Sequence, residues 1–449
     1  MRSMLLSGAP RRLRGVTPAC LVAAVLLSGC AIFGDGKPPP LPGERISVMQ
    51  LEPTLRPAPE LSSEPITLPQ PFVNTDWPQS FGSASHAPGH VELGDAPRRI
   101  WRSSIGRGSN SSRKLLGQPI VAEGRVFTMD ARAQVSAYDA ERGSSLWSRD
   151  IRPNDESDGM LGAGLAYDSG MLYAASGFAE VVALDSKTGK EVWRRKVSGP
   201  VRGAPVVGNG RVFVISLDNI THALNAKDGS VLWTHTGSVE SAGLLGGISP
   251  ALADETLVVA YSSGELFGLR AGTGRQLWAD FLSLPRRTSA VSDLNDIRAS
   301  PVISAGRVYA IGNAGRMVSI QVNSGNRIWD QRISGSQTPW VAGDMIYAVT
   351  NDNDLICLTA RDGRVRWVRA LPRWQDEKRK RDPITWAGPV LVGDRLILSG
   401  SNESALSVSP YTGEMLGSID LPDGVLIAPT VANRTLYFLT DRGDLIAYR

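Results

Sequence analysis

Cys30 is the residue whose surroundings point most directly to chemistry. It closes the stretch LSGC, in which Ser28 and Gly29 are small enough to let a peptidase reach the bond before the cysteine. A cysteine sulfur in its thiolate form is a nucleophile, so it can take a diacylglyceryl group. The pattern predicts lipid modification of Cys30, with a plain secretory signal and an incidental cysteine as the alternative.

The residues before Cys30 have the layout of an export signal. Residues 1–29 contain four arginines and no acidic residue, and the apolar run ACLVAAVLL follows the arginines. That run is too short for a permanent membrane-spanning helix but suits a signal peptide. LSGC resembles the bacterial lipobox, which implies that Cys30 becomes the acylated mature N-terminus. Since Ala31 rather than an aspartate follows, the resemblance also implies the outer membrane of a Gram-negative bacterium, with the body facing the periplasm.

The next segment is predicted to be a spacer. Ten prolines fall between Pro38 and Pro71, and such a composition favours extended conformations that cannot build a core. The sequence therefore predicts a lipidated, proline-rich tether over 30–75 and a folded body over 76–449.

The formal net charge of +4 comes from the signal peptide. Its four arginines account for the excess of 48 basic over 44 acidic residues. The rest of the chain is formally neutral, whereas a protein that binds nucleic acid normally keeps a basic face. We therefore expect no nucleic-acid partner.

Other reactive side chains form no recognisable site. Cys357 stands alone in the strand-like DLICLT once Cys20 and Cys30 are accounted for, so we expect it to be a small core residue. No nucleophile elbow, Walker loop or paired-carboxylate motif is present. The histidines lack metal-ligand spacing; they are His86, His90, His222 and His235. We expect no catalytic, metal-binding or cofactor-binding residues.

From residue 117 the chain repeats itself with a period of roughly 38–51 residues. Each copy has a proline-led apolar strand such as APVVGNG, a second strand such as RVFVIS and a hairpin such as ALDSKTGKEVW. The hairpin glycine supplies a positive φ, and four residues later a tryptophan follows. The glycines are Gly143, Gly189, Gly229, Gly274, Gly325, Gly363 and Gly413. In the seventh copy Gly417 takes the tryptophan position.

This repeat predicts an all-β, eight-bladed propeller. A four-stranded antiparallel sheet with two apolar faces becomes stable when such sheets stack around a ring, and period-two alternation argues against a helical solenoid. Eight second strands occur but only seven complete hairpins, and the chain stops at DLIAYR. The segment PRRIWRSSIG has no strands of its own, so we expect the strand around Trp101 to complete the last blade and close the ring.

The repeated tryptophans are predicted to be structural. A buried tryptophan hides about 150–250 Å², which corresponds to at most about 4–6 kcal/mol. Their regular placement on outer strands suggests packing between neighbouring blades. The residues concerned are Trp101, Trp147, Trp193, Trp233, Trp278, Trp329 and Trp367.

The D-xxx-G-xxx-W repeat resembles that of the quinoprotein-type propellers over essentially the whole chain. That group contains dehydrogenases that hold pyrroloquinoline quinone and calcium, and also ligand-free scaffolds. With the lipobox, the proline tether and eight blades, the chain resembles the BamB-type lipoproteins of the outer-membrane β-barrel assembly machinery. The alternatives are a periplasmic quinoprotein oxidoreductase, against which the lack of an adjacent cysteine pair counts, and a scaffold of another envelope complex.

The resemblance to the BamB type implies a non-enzymatic scaffold. Such a scaffold docks on the periplasmic domains of a BamA-type barrel-assembly protein and aids the folding and insertion of outer membrane proteins. It would also be in a position to contact unfolded substrates and would meet the membrane through its lipid anchor.

Two insertions between blades are candidate docking loops, TGSVESAGLLGGISP and LSLPRRTSAVSDLNDIRASP. In the BamB type these loops contact the barrel-assembly partner. Matching back from the following prolines carries this role onto Leu244, Leu245, Asp296 and Arg298. The family pattern has an arginine where Leu245 stands and an acid where Arg298 stands, and the two leucines have a core-covering role as their alternative.

A basic stretch, RWQDEKRKRDP, follows the sixth hairpin. We expect a solvated loop, with contact to anionic lipid or to an acidic partner as the alternative. Trp374 and Trp386 lie outside the repeat positions and are expected to pack this loop against the body.

Overall fold

The structure, a computed structural model, describes residues 55–154, 164–238, 247–282 and 297–449. Regular structure in these ranges consists of β-strands and two 3₁₀ turns, Pro59–Leu61 and Ser80–Gly82. None of the described residues belongs to a helix with the length and apolar character needed to cross a bilayer.

Each hairpin turn depends on a polar residue and a glycine. In SKTGKEVW the amide of Thr188 donates to Oδ1 of Asp185 at 2.8 Å, and the amide of Gly189 donates to the Asp185 carbonyl at 2.8 Å. Gly189 has a φ of 68°, which glycine adopts without steric cost. The chain therefore reverses within a few residues and returns as the antiparallel partner strand.

The strands form eight four-stranded antiparallel blades, numbered here along the chain. The first strands of neighbouring blades contact one another, so they surround the axis. Blades 1 to 4 are β2 (Ile120–Ala122), β3 (Arg125–Met129), β4 (Gln134–Asp139), β5 (Ser145–Asp150); β6 (Gly164–Asp168), β7 (Met171–Ser176), β8 (Glu180–Asp185), β9 (Glu191–Lys196); β10 (Val206–Gly208), β11 (Arg211–Ile215), β12 (Ile220–Asn225), β13 (Val231–Thr236); and β14 (Ala251–Ala253), β15 (Thr256–Ala260), β16 (Glu265–Arg270), β17 (Gln276–Phe281). Blades 5 to 7 are β18 (Val302–Ser304), β19 (Arg307–Ile311), β20 (Met317–Gln321), β21 (Arg327–Gln331); β22 (Trp340–Ala342), β23 (Met345–Val349), β24 (Asp354–Thr359), β25 (Val365–Ala370); and β28 (Trp386–Val392), β29 (Arg395–Gly400), β30 (Ser404–Val408), β31 (Met415–Asp420). A separate hairpin, β26 (Trp374–Asp376) and β27 (Arg381–Pro383), joins blades 6 and 7.

Blade 8 combines the first strand of the chain with its last three strands. Its order is β1 (Arg99–Ser104), β34 (Asp444–Tyr448), β33 (Thr435–Leu439) and β32 (Thr430–Ala432). β1 runs antiparallel to β34 with Trp101 opposite Ala447, and the amides of Arg98 and Arg449 donate to each other's carbonyls at 2.8 and 2.9 Å. The predicted eight-bladed propeller, closed by the strand around Trp101, is thus confirmed.

The repeated tryptophans lie between blades. The indole of Trp147 packs over the hairpin turn of the next blade, where a Cβ built on Gly189 would lie 2.5 Å from its Cε3 atom. Glycine is therefore needed at the turn for two reasons: it adopts the positive φ, and its lack of a side chain lets the indole approach closely. Each indole Nε1 donates to a carbonyl of the following blade at 2.7–3.1 Å: Trp101 to Ala140, Trp147 to Ser186, Trp193 to Ala226, Trp233 to Ala271, Trp278 to Val322, Trp329 to Ala360 and Trp367 to Pro410.

Residues 72–92, which we call the axial segment, circle the axis and contact the first strand of every blade. First strands are sheet edges whose backbone groups would otherwise lack partners. In order around the ring, from blade 8 through blade 7, the pairs are Asn74 with Val431 and Asn433, Trp77 with Val121, Pro78 with Tyr167, Gln79 with Val207, Ala84 with Leu252, Ser85 with Ile303, Gly89 with Trp340 and Val91 with Gly393. Phe72 then pairs with both His90 and Glu92, which closes the circle.

The axial segment is tightly packed. Trp77 is fully buried and stacks on Trp340 with ring centroids 6.2 Å apart. His86 is 1% exposed, and its Nδ1 lies 2.7 Å from the carbonyl of Pro301. Burial lowers the pKa of His86 to about 4, because an imidazolium would lose its hydration there. The segment therefore carries a neutral histidine near pH 7.

Part of the predicted tether also lies against the propeller. The amide of Ala58 donates to the carbonyl of Val365 on the outer strand of blade 6 at 2.9 Å, and Leu61 is 2% exposed. Glu60 contacts Arg364 at 3.1 Å. Proline-rich composition indicates an extended chain, and an extended chain is also the conformation that can follow a sheet edge. The parts of the tether and signal before residue 55 lie outside the described residues.

Candidate functional site

The connections between blades and the turns between second and third strands lie at one end of the ring, because the strands alternate in direction. At the axis on this end is a cavity of about 290 Å³, the axial funnel. Its lining includes Phe81, Lys114, Gln118, Arg298, Thr338 and Asp441. The funnel is therefore built from residues that precede the first strands of several blades, from Asp441 in the turn between the second and third strands of blade 8, and from Phe81 of the axial segment.

Phe81 lines the funnel because its backbone is held in place. It has a φ of 55°, and its amide donates to Oε1 of Gln118 at 2.7 Å. Nε2 of Gln118 in turn donates to the carbonyl of Ala428 in blade 8 at 3.0 Å. A positive φ is strained for a bulky residue, and these contacts fix the ring at the base of the funnel.

Arg298 reaches the funnel from the connection that enters blade 5. Behind it, the amide of Ser300 donates to Oγ1 of Thr338 at 3.0 Å, and Oγ of Ser300 accepts from the amide of Ser249 at 3.1 Å. The next residue, Pro301, is tied to His86. The base of the connection is therefore held in place, and Arg298 lines the funnel beside it.

Opposite charges also meet on this end of the ring. Asp441 is a funnel residue whose pKa is raised, first because burial disfavours its charged form and then because Asp423 is nearby. The positive charge of Lys114 opposes these two effects and lowers the pKa of Asp441. The cavity thus combines an aromatic base with a mixed cationic and acidic rim.

Of the four predicted docking residues, the structure places Arg298 at the funnel. Leu244, Leu245 and Asp296 lie outside the described residues. Gly247, three residues after Leu244, also lines the funnel, and Ile297, which follows Asp296, is fully buried. The described ends of both insertions therefore meet at the funnel end of the ring. Cys30 also lies outside the described residues.

The remaining reactive side chains are dispersed. Cys357 is fully buried in blade 6, with its Sγ 3.9 Å from Sδ of Met345, and burial raises the pKa of its thiol. His86 and His90 belong to the axial segment, whereas His222 and His235 belong to blade 3. Among the described residues, no three His, Cys, Asp or Glu side chains are grouped as a cation site.

The basic stretch forms a hairpin, β26–β27, rather than an irregular loop. Lys378 and Lys380 are exposed at its tip, while Glu377 accepts from the amide of Arg373 at 3.1 Å. Trp386 is 1% exposed and its Nε1 donates to the carbonyl of Pro372 at 2.8 Å. The acidic side chains thus hold the hairpin together and leave the cations outward.

No repeated motif of the sequence marks Phe81, Gln118 or the axial segment. These residues lie outside the hairpin motif, so self-similarity gave no signal for them. The available signal was the small-residue stretch FGSASHAPGH, in which Phe81, Gly82, His86 and Gly89 have positive φ. Such a stretch follows a tightly curved path that larger residues would obstruct.

The funnel residues do not fit the quinone and calcium of the dehydrogenases with this fold. Calcium takes six to eight oxygen ligands, usually with several carboxylates. Asp441 is the one carboxylate among the funnel-lining residues of the described chain, so the funnel does not offer the set of carboxylates that calcium sites usually have. We therefore derive no catalytic step at this site.

Comparison with known proteins agrees with this geometry. A family model described as outer membrane protein assembly factor BamB matches residues 89–156 and 135–369. Proteins of that name from Moranella endobia and Yersinia pestis are 26% and 27% identical over 368 and 369 residues, which cover 80% of this chain and 91% and 90% of theirs.

Solved structures share the fold. The crystal structure of BamB from Moraxella catarrhalis has a TM-score of 0.63 at 16% identity and covers 79% of this chain and 98% of its own. A quinohemoprotein alcohol dehydrogenase from Comamonas testosteroni has a TM-score of 0.64 at 13% identity. The match covers 83% of this chain and 80% of the dehydrogenase. At such identities the likeness concerns the fold alone. The family match spans more than half of the 449 residues, and the chain therefore belongs to the outer membrane protein assembly factor BamB family.

Proposed function

We propose that this protein is a non-enzymatic scaffold of outer membrane protein assembly. The family match over the propeller is the observation that carries the proposal. In this role the protein is held at the outer membrane through acylated Cys30 and faces the periplasm. It binds a BamA-type barrel-assembly protein and helps unfolded outer membrane proteins reach that partner.

The funnel end of the ring is the proposed docking surface. Arg298 lines the funnel there, and the insertions that carry Leu244, Leu245 and Asp296 join the described chain at the same end. An interface of standard size buries roughly 1,200–2,000 Å², which several adjacent connections can provide. An arginine among apolar residues has the composition typical of binding hot spots.

Affinity capture from detergent-solubilised membranes tests the docking proposal. We expect the wild-type protein to recover a barrel-assembly protein, and Arg298→Glu to recover at least five-fold less. Arg142→Glu is the matched control, since Arg142 is exposed in a hairpin turn at the opposite end of the ring. Equal recovery by both variants would reject the docking surface, and recovery of an unrelated envelope complex would reject the function.

The two insertions allow a second test of the same surface. Leu244→Asp combined with Leu245→Asp should reduce capture while leaving the thermal unfolding midpoint nearly unchanged. An equal loss of capture and of thermal stability would instead assign these leucines to the core. Asp296→Lys should also weaken capture if its carboxylate meets the partner.

The anchor is tested by fractionation. Cys30→Ser removes the sulfur that would carry the lipid, so we expect the protein to leave the outer membrane fraction for the soluble fraction. Retention of this variant in the membrane fraction at wild-type level would contradict a lipid anchor at Cys30.

A further inference from the structure

The missing tryptophan at Gly417 has a structural cause. Each repeated indole packs on the hairpin turn of the following blade, as Trp367 packs on Gly413 of blade 7. The blade that follows Gly417 is blade 8, and its two outer strands, β34 and β1, are not joined by a hairpin. An indole at position 417 would therefore have no turn to cover.

An open groove remains at this junction. A Cβ built on Gly417 meets no atom within 4 Å, and a cavity of about 590 Å³ adjoins it. This volume lies within the 300–1,000 Å³ range of ligand sites. The groove has apolar walls and a charged rim, formed by Leu93, Ile397, Leu416 and Ile419, and by Glu92, Asp95, Asp394 and Arg395.

Arg395 and the outer strand β31 define the two sides of the groove. The Arg395 guanidinium is fixed by the carbonyl of Asp95, at 2.7 Å from Nη1. On the other side, Met415 and Leu416 of β31 are 43% and 57% exposed. The corresponding residues of sealed blades are similarly exposed, Leu146 at 48% and Val192 at 53%. The feature particular to β31 is therefore the empty space beside Gly417.

Another outer strand of this propeller already binds an extended segment of chain. The outer strand of blade 6, β25, is followed by residues of the chain's own N-terminal part, with a backbone hydrogen bond from Ala58 to Val365. Seven other junctions show that an indole fits between adjacent blades. The groove at Gly417 combines a free outer strand with an unfilled indole position.

We propose that this groove binds an extended segment of an unfolded outer membrane β-barrel protein, with an aromatic side chain inserted beside Gly417. The inference rests on the proposed assembly function. Membrane-spanning barrel strands alternate apolar and polar residues and carry aromatic girdles, and an extended segment can add to a sheet edge through its backbone. Such a strand therefore offers an aromatic side chain for the unfilled indole position and a backbone that can pair with the free outer strand.

The groove is separate from the docking surface. It includes Gly393 and Asp394, which form the turn between the first and second strands of blade 7. Such turns lie at the opposite end of the ring from the axial funnel. A substrate segment in the groove and a partner at the funnel therefore do not compete for the same surface.

The test uses the full chain and a fluorescent ten-residue peptide of alternating valine and threonine with one central tryptophan. We expect saturable binding by fluorescence anisotropy and at least ten-fold weaker binding when the peptide tryptophan is replaced by alanine. Leu416→Asp should weaken binding of the tryptophan peptide at least ten-fold. The matched control is Leu146→Asp, because Leu146 precedes Trp147 as Leu416 precedes Gly417 and is 48% exposed.

Three results would overturn this inference: no binding of the tryptophan peptide, equal affinity for both peptides, or equal effects of the two leucine variants. Thermal unfolding of each variant checks that the fold is kept. Leu416→Asp should still capture the barrel-assembly partner. Loss of peptide binding with normal capture rejects only the groove, whereas a wild-type protein that captures no such partner rejects the proposed function.

Discussion

Seven junctions between blades are sealed by an indole, whereas the junction between blades 7 and 8 is not. At the sealed junction of blades 1 and 2, Trp147 covers Gly189 and donates to Ser186 at 3.0 Å. At the open junction, a Cβ atom placed on Gly417 would have no neighbouring atom within 4 Å. The difference follows from ring closure, because the two outer strands of blade 8, β34 and β1, are far apart in the sequence and lack the connecting turn that an indole would cover. Closure of the ring therefore creates the one irregular junction.

The largest expected effect comes from opening a sealed junction. Trp193→Ala should lower the free energy of unfolding by about 3–5 kcal/mol, because Trp193 is 8% exposed and donates to Ala226. Leu416→Ala at the open junction should change the free energy of unfolding by less than about 0.5 kcal/mol. Urea denaturation followed by far-ultraviolet circular dichroism measures both. Similar losses for the two variants would mean that the junctions do not differ as described.

Acidification tests the axial segment that all blades share. The pKa of His86 is about 4 in the folded state against a reference of 6.5, so the unfolded chain binds more protons between these values. Stability should therefore fall as the pH drops from about 6.5 towards 4, by about 3 kcal/mol from this residue.

His86→Gln serves as the control for this pH effect. The pKa values of His222 and His235 are also lowered by burial, so the variant should flatten the pH dependence of urea unfolding without abolishing it. An unchanged slope between pH 7 and 4.5 would show that His86 is not buried in the neutral form.

A smaller effect separates the two roles of the turn glycines. In Gly189→Ala the new methyl group is placed on a backbone of positive φ and also collides with the Trp147 ring. In Gly170→Ala the backbone φ is 85°, but the new methyl group has no atom within 4 Å. Backbone strain alone costs about 1 kcal/mol for alanine at such a φ, so Gly189→Ala should cost clearly more, about 2–4 kcal/mol with the overpacking. Thermal unfolding midpoints compare the two. Equal midpoints would argue that the indole does not rest on the turn.

The repeat made the blades predictable. A glycine with positive φ and a tryptophan four residues later recur often enough to define the hairpin, and the mismatch between second strands and hairpins indicated how Trp101 closes the ring. The absence of a tryptophan at Gly417 could be seen in the sequence, but its cause required knowing which blade follows and that its outer strands are unconnected.

The site was less predictable because it is built from non-repeating residues. Phe81 and Gln118 are brought together by the path of the axial segment, and no local sequence pattern encodes a path whose contacts are spread over eight blades. Arg298 was singled out through the family resemblance, and the structure places it at the funnel. The proline-rich composition indicated an extended chain but not that Ala58 would pair with Val365.

Quantitative affinity capture with four baits tests the central claim most directly, that the funnel end is the docking surface of an assembly scaffold. The baits are the wild-type protein, Arg298→Glu, Arg142→Glu and Leu416→Asp, each shown to be folded. The account predicts that a barrel-assembly protein is recovered at similar levels by all except Arg298→Glu, which recovers at least five-fold less. Absence of that partner from the wild-type capture, or equal recovery with Arg298→Glu, would contradict it.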